Sequence, residues 1–190
     1  MKKKNNKKFA VLVSGFGRGA IQLILDYKLG FIKHNLELII SSKETSKVLE
    51  IASNTNISNK LVKFQDFANK NDFEEKILQV LNDFDIDFVF LAGWNYIITK
   101  HFLLTYNKPI INIHPSLLPS FKGAKAISKA MDSKVKITGV TTHFVNQNID
   151  DGEIIEQKPV CIGGKDTFED LDLKIFKAGS ELTITTINKM

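Results

Sequence analysis

Asn112 and His114 stand two apart in Ile110-Ile-Asn-Ile-His114, a short apolar run that reads as a strand and stops at Pro115. Side chains alternate along a strand, so these two polar groups leave one face while Ile111 and Ile113 leave the other and can pack. An asparagine amide can donate to an oxyanion, and a histidine can supply a proton or a polarising N–H. A carboxylate able to orient that histidine and relay a proton stands at Asp150, in the polar run Asn146-Gln-Asn-Ile-Asp-Asp-Gly152. Each residue also has a plainer reading. The Asn and His could be satisfied by nearby loop carbonyls, and an isolated Asp-Asp-Gly is commonly an Asx turn. His143, in Thr141-Thr-His-Phe144, reads by itself as a structural histidine.

A second set of residues suits an anion. Ser14-Gly-Phe-Gly-Arg-Gly19 lies between a strand and a helix, where backbone N–H groups and the helix N-terminus attract negative charge. Gly15, Gly17 and Gly19 let the backbone come close to a ligand, and Arg18 can add a charge-assisted contact. The spacing is Gly-x-Gly-x-Gly, and the second strand ends in Ser41-Ser42 with no acidic residue for a ribose. A simple phosphate is therefore favoured over a nicotinamide dinucleotide. A tight strand–helix turn without a ligand is the alternative. The histidines, aspartates and cysteine show no zinc-ligand spacing, and no metal is expected. No Gly-x-Ser-x-Gly elbow is present to make a nucleophile of Ser116.

The elements that must hold these groups alternate short apolar runs with amphipathic stretches, the pattern of an α/β domain. Strands are expected over 9–13, 36–40, 61–64, 86–91, 110–114, 136–145 and 153–160. Helices are expected from the glycine loop to about residue 28, then over 42–52, 73–84, 100–106, 124–131 and 167–188, the last capped by Asp166 or Thr167. The strand over 86–91 is apolar enough to be central. The expected fold is a twisted, mostly parallel sheet flanked by helices, with antiparallel late strands. The carboxyl end of the 110–114 strand is where open α/β sheets bind ligands.

The chain has 190 residues, the size of one domain, with 43% hydrophobic and 25% charged residues, which is ordinary for a globular protein. Residues 1–8 read as a basic, flexible tail, and 9–190 as a single domain. No apolar run is long enough to cross a bilayer, and no signal-peptide core follows the tail. The net charge of +5 owes much to lysines in that tail. With no basic stripe interleaved with aromatics, small anionic substrates are expected as partners, not nucleic acid or membrane. The single cysteine, Cys161, suits a reducing compartment, and the cytoplasm is expected.

The string Ile111-Asn-Ile-His-Pro-Ser-Leu-Leu-Pro-Ser-Phe-Lys-Gly123 resembles the signature of the phosphoribosylglycinamide formyltransferase family. Thr138-Gly-Val-Thr-Thr-His-Phe-Val145 and Ile149-Asp-Asp-Gly-Glu-Ile-Ile155 are similar to its second signature, in order and at the right distance. Val11-Leu-Val-Ser-Gly-Phe-Gly17 and Leu91-Ala-Gly-Trp94 resemble its phosphate loop and fourth-strand turn. The resemblance spans almost the whole chain, weakly over 30–85 and after 165. It implies transfer of a formyl group from 10-formyltetrahydrofolate to the primary amine of glycinamide ribonucleotide, a step of purine synthesis. By the same resemblance, Asn112 holds the formyl oxygen, His114 assists as charge develops, and Asp150 pairs with the histidine and shuttles protons. His143 lines the same site, Gly15, Gly17, Arg18 and Gly19 bind the phosphorylated substrate, and Trp94, Asn95, Tyr96 and Ile97 bind the folate.

The sequence departs from the family at several points. The phosphate loop usually continues Gly-Ser-Asn and here runs Gly17-Arg-Gly19; Trp94-Asn-Tyr96 lacks the usual Arg; Glu153 replaces a Pro. A Glu-His pair frequent in the last helix is replaced by Ala178-Gly-Ser180. These changes fall on acceptor-facing positions and motivate one rival, transfer to another amine such as an amino sugar nucleotide; hydrolysis of the formyl-folate and a non-catalytic folate- or phosphate-binding module are the others.

Overall fold

The structure is a computed structural model and describes residues 6–190. Most of the expected basic tail, residues 1–5, lies outside the described residues. Strand β1 (Lys8–Val13) takes in Lys8, and the Lys7 backbone N–H donates to His34. The order along the chain is then α1 (Arg18–Lys28), β2 (Asn35–Ser41), α2 (Lys47–Asn54), β3 (Ser58–Leu61), a 3₁₀ turn (Phe64–Asp66), α3 (Lys70–Asp83) and β4 (Phe88–Leu91). After these come α4 (Lys100–Tyr106), β5 (Ile110–His114), α5 (Ala126–Asp132), β6 (Ile137–Phe144), β7 (Ile154–Cys161) and α6 (Phe168–Lys189).

The seven strands form one sheet in the order β3-β2-β1-β4-β5-β6-β7. Strands β1 to β5 run parallel, and β6 and β7 are antiparallel. The central parallel strands β1 and β4 are buried on both faces, which is why they read as unbroken apolar runs. Alternation along β1 divides them between two layers. Phe9, Val11 and Val13 pack with Ala20, Leu23, Ile24, Val48 and Ile187 on the α1–α2–α6 side. Ala10 and Leu12 pack with Phe73, Ile77, Leu81 and Phe102 on the α3–α4 side. A third cluster places Leu171, Ile175, Ala178 and Leu182 of α6 against Val140 and Val160 of the antiparallel strands. No helix among the described residues is long and apolar enough to cross a membrane.

Several boundaries differ from the sequence expectation: α3 starts at Lys70 instead of Phe73 and β4 at Phe88 instead of Ile86. Helix α2 starts at Lys47 instead of Ser42, because the Ser41 hydroxyl ties both backbone groups of Lys43 into a turn. Strand β3 covers Ser58–Leu61 and not 61–64. It is an edge strand paired to β2 through its backbone, so polar side chains suffice and the apolar run beyond it misleads. Helix α5 starts at Ala126 instead of Ala124, because Lys125 sits at φ 59°, a left-handed conformation that a right-handed helix cannot include.

The chain leaves β1 toward β2 and β3, then returns to β4 on the other side of β1. This reversal opens a crevice at the carboxyl ends of β1 and β4, with β5 alongside. The loops leaving β1 and β4 are tied together there. Ser14 N–H donates to the Gly93 carbonyl at 3.1 Å, and Asn95 N–H donates to the Ser14 hydroxyl at 3.1 Å.

Candidate active site

Strand parity settles which way β5 presents its side chains. Ile111 joins the α1–α2–α6 layer, and Ile113 lies between that layer and the third cluster. Asn112 and His114 face the opposite side, into a crevice of about 480 Å³ shared with Asp150 and His143. Asp150 is brought in by the loop between β6 and β7. Its carboxylate takes the Gly123 N–H at 2.8 Å on Oδ2, with His114 Nδ1 3.1 Å from the same oxygen. Asn112 Nδ2 donates to Asp150 Oδ1 at 3.3 Å. The Asp150 side chain is only 10% exposed.

The loop carrying Asp150 is held by its glycine. A Cβ on Gly152 would lie 1.6 Å from the Phe144 carbonyl oxygen and 3.4 Å from His143 Nδ1. Only glycine lets the chain pass that close to β6. Asp150 itself is left-handed at φ 49°. Facing it, the segment after β5 carries further positive φ angles at Phe121, Gly123 and Lys125. Residues held this way persist where surrounding contacts over-determine them. Those contacts are the Gly123–Asp150 bond and the Lys122–Asp151 ion pair. The Ser-Leu-Leu-Pro turn is fixed separately, with Thr141 Oγ1 donating to the Ser116 carbonyl and accepting from Leu118 N–H. Ser116 Oγ donates to the Ser120 carbonyl.

The polar groups use one another as partners. His114 Nε2 lies 2.9 Å from the Phe121 carbonyl and Nδ1 lies against Asp150. Both neighbours are acceptors, so a protonated ring donates to both, whereas a neutral ring donates to one. His143 Nδ1 donates to the Phe144 carbonyl, and its Nε2 is 3.2 Å from Asn112 Nδ2 and 3.5 Å from Asp150 Oδ1. The neutral ring accepts from Asn112; a protonated ring would donate to Asp150. Burial pushes the Asp150 pKa up, but the His143 ring, the Gly123 N–H and the charge at His114 together hold it below the ordinary carboxylate value. Both amide hydrogens of Asn112 are engaged in this arrangement, one by Asp150 and one by His143.

Trp94, Asn95, Tyr96 and Ile97 line the same crevice. Trp94 and Tyr96 turn inward, the indole stacked on Phe73 with ring centroids 5.9 Å apart and the phenol tilted against it. Ile97 is exposed at the mouth.

On the other side of β5 lies a cavity of about 410 Å³, meeting the first at Gly93, Ile113 and Pro115. Gly15, Gly17, Arg18 and Gly19 line it, under a wall made by α6. Gly17 caps α1 at φ 88° with no side-chain cap, which leaves the first N–H groups of the helix available to a ligand. A Cβ on Gly17 would meet Val48 Cβ at 2.9 Å. Arg18 does not stand free at the loop. Its Nη1 donates to Asp172 Oδ2 at 2.8 Å, and its guanidinium lies 4.3 Å over the Phe176 ring.

The structure brings Asn112, His114, His143, Asp150 and residues 94–97 to one crevice and the glycine loop to the other cavity. Sequence reading missed the Phe121 carbonyl, the Gly123 N–H as a ligand of Asp150, the need for Gly152, and Asp172 with Phe176. Asp-Asp-Gly carried a signal for Gly152. Nothing local could reveal Asp172, which is 154 residues from Arg18. Among the described residues no group of three or more His, Cys, Asp or Glu side chains is placed to hold a metal ion.

A family model described as formyl transferase matches residues 7–187. The phosphoribosylglycinamide formyltransferase of Bacillus subtilis is 35% identical over 171 residues, covering 90% of this chain and 88% of the relative. The human trifunctional purine biosynthetic protein adenosine-3 is 35% identical over 186 residues, and there the chain spans 18% of the relative's length. The crystal structure of phosphoribosylglycinamide formyltransferase from Bacillus halodurans superposes with a TM-score of 0.91 at 37% identity, covering 96% of this chain and 94% of that one. With the family model matching residues 7–187 and a relative 35% identical over 90% of the chain, the chain belongs to the formyl transferase family.

Proposed function

We propose that the protein transfers the formyl group of 10-formyltetrahydrofolate to the primary amine of glycinamide ribonucleotide, a step of purine synthesis carried out in the cytoplasm. The observation that carries this is the closed hydrogen-bonded set of Asn112, His114, His143 and Asp150 at the carboxyl end of β5, between two cavities. The crevice lined by residues 94–97 takes the folate, and its volume is within the usual range for a ligand site. The glycine-loop cavity takes the acceptor, whose phosphate lies against the backbone N–H groups at Gly17 to Gly19.

The acceptor nitrogen attacks the formyl carbon, and the bond from that carbon to the folate nitrogen breaks. One proton leaves the amine and one reaches the folate nitrogen, so the transfer is proton-neutral. The Asn112 amide is turned onto Asp150 and His143. The formyl oxygen replaces one of these partners, and His114 lends its charge as the oxygen becomes anionic. Asp150, already ionised, keeps His114 oriented and supports the imidazolium. Catalytic hydrogen bonds commonly tighten only once the substrate is in place.

One observation favours a second acceptor for the same chemistry. Ser180 and Thr183 of α6 line the acceptor cavity, but their hydroxyls donate to the Phe176 and Gly179 carbonyls of their own helix. Each hydroxyl can still accept from a ligand hydroxyl, but Ala178-Gly-Ser180 stands where a Glu-His pair is frequent in the family, and another phosphorylated amine, such as an amino sugar nucleotide, is the alternative.

The test measures formyl-folate consumption with glycinamide ribonucleotide, with a panel of other amines, and with no acceptor. Rapid loss only with glycinamide ribonucleotide is expected. Equal loss without any acceptor would mean hydrolysis, and preference for another amine would replace the acceptor.

A further inference from the structure

We infer that Asp172 is a built-in competitor for the phosphate of the acceptor, holding Arg18 against α6 until a phosphate draws it away, and that this pair sets the acceptor KM. The inference rests on reading the glycine-loop cavity as the acceptor site.

Arg18 opens α1 directly after the left-handed Gly17, at the point where a bound phosphate meets the helix N-terminus. Asp172 and Phe176 are one turn apart on α6, so one helix face offers a carboxylate and a ring to the same guanidinium. All three side chains line the cavity. The first turn of α1 contains no acidic residue and its cap uses no side chain, so Asp172 is the carboxylate that engages Arg18.

The pair is built to open. It is a single N–H···O contact, not a fork, and its side chains are 52% and 30% exposed, which makes it weak. A phosphate carries more charge than a carboxylate and can take two N–H groups of a guanidinium at once. Stacking on Phe176 keeps the guanidinium at the cavity rim. Once Arg18 turns to the phosphate, Asp172 is left as a like charge beside it. A neutral acceptor gains nothing from Arg18, so the arrangement selects anionic acceptors.

The experiment titrates inorganic phosphate into the full-length protein and measures acceptor and formyl-folate KM in parallel. Asp172→Asn is nearly isosteric; it should tighten phosphate binding and lower acceptor KM by roughly two- to fivefold. Arg18→Gln should weaken both by roughly tenfold or more. Arg18→Lys, which keeps the charge without the planar fork, should fall between. In the Arg18→Gln background, Asp172→Asn should change little, and formyl-folate KM should hold throughout. Phosphate affinity unchanged or weakened by Asp172→Asn would overturn the inference, as would an equal gain in the Arg18→Gln background. If phosphate binding responds as described but glycinamide ribonucleotide is not formylated, the acceptor's identity fails while the Arg18–Asp172 device stands. If glycinamide ribonucleotide is formylated but the variants do not respond, the device fails alone.

Discussion

On the Asn112 face of β5, four polar side chains satisfy one another in a buried cluster; on the Ile113 face, a cavity of similar size is walled mostly by carbon, with Arg18 and Asp172 at its rim. The first arrangement is expensive to hold in low dielectric, so every member is hydrogen-bonded and the loops are pinned by Gly152, Gly123 and the Lys122–Asp151 pair. Fixed dipoles and charges then act without reorganisation at the moment of reaction. The second leaves recognition to backbone N–H groups and one exposed arginine whose partner Asp172 is half-buried. As the proposed reacting centre, the first needs geometry fixed in advance, whereas the second, as the proposed acceptor pocket, can change its side chains and keep its backbone contacts. This accounts for an intact trio beside altered residues in α6 and the glycine loop.

The largest break in that contrast should come from Gly152→Ala. Its methyl cannot coexist with the Phe144 carbonyl, so the loop must move and take Asp150 with it. Turnover should fall by ~10³ or more, with a lower melting temperature; near-normal kcat would show that the loop is not pinned as described.

Next in size are the trio variants. His114→Ala should cost ~10²–10⁴ in kcat and Asn112→Ala ~10²–10³. Asp150→Asn loses the charge beside His114, and its double mutant with His114→Ala should be hardly slower than the worse single variant, because groups acting as a unit are non-additive. Fully additive losses would separate Asp150 from His114.

On the acceptor side effects should appear in KM. A Cβ at Gly19 meets nothing within 4 Å and Gly19 lines the cavity, so Gly19→Val should raise acceptor KM by roughly tenfold with formyl-folate KM unchanged. Equal loss of both would make the loop a turn only. Gly17→Val is a poorer test, since the positive φ and the contact with Val48 would lower stability first.

The smallest effect is on acid stability. The folded Asp150 has a pKa below its ordinary 3.8, so its ionised form contributes stability that is present above that value and lost as pH falls through the lower folded value. Wild type should therefore lose stability below about pH 4 more steeply than Asp150→Asn. Identical acid profiles would remove Asp150 as an ionised, paired group in the folded state.

Much of this was legible beforehand. Unbroken apolar runs announced the parallel strands at β1 and β4, and the expected bounds of α4 and β5 coincide with the observed ones. The polar edge strand β3 was misplaced because backbone pairing to β2 defines it, and side-chain hydropathy does not. The start of α5 was misplaced because one left-handed backbone angle at Lys125 left no mark in residue type.

By itself the sequence determined the alternation that sends Asn112 and His114 to one face of β5 and Ile113 to the other, and the glycines that loosen the loop after β1. Those follow from local stereochemistry, which acts between residues a few positions apart. Tertiary structure alone decided that Asp150 reaches back across 38 residues to Asn112, that the Phe121 carbonyl occupies His114, and that Asp172 waits for Arg18. Such pairings depend on the sheet order and on how α6 packs over β6 and β7, because a hydrogen bond or ion pair forms only where the fold brings two groups within about 3 Å.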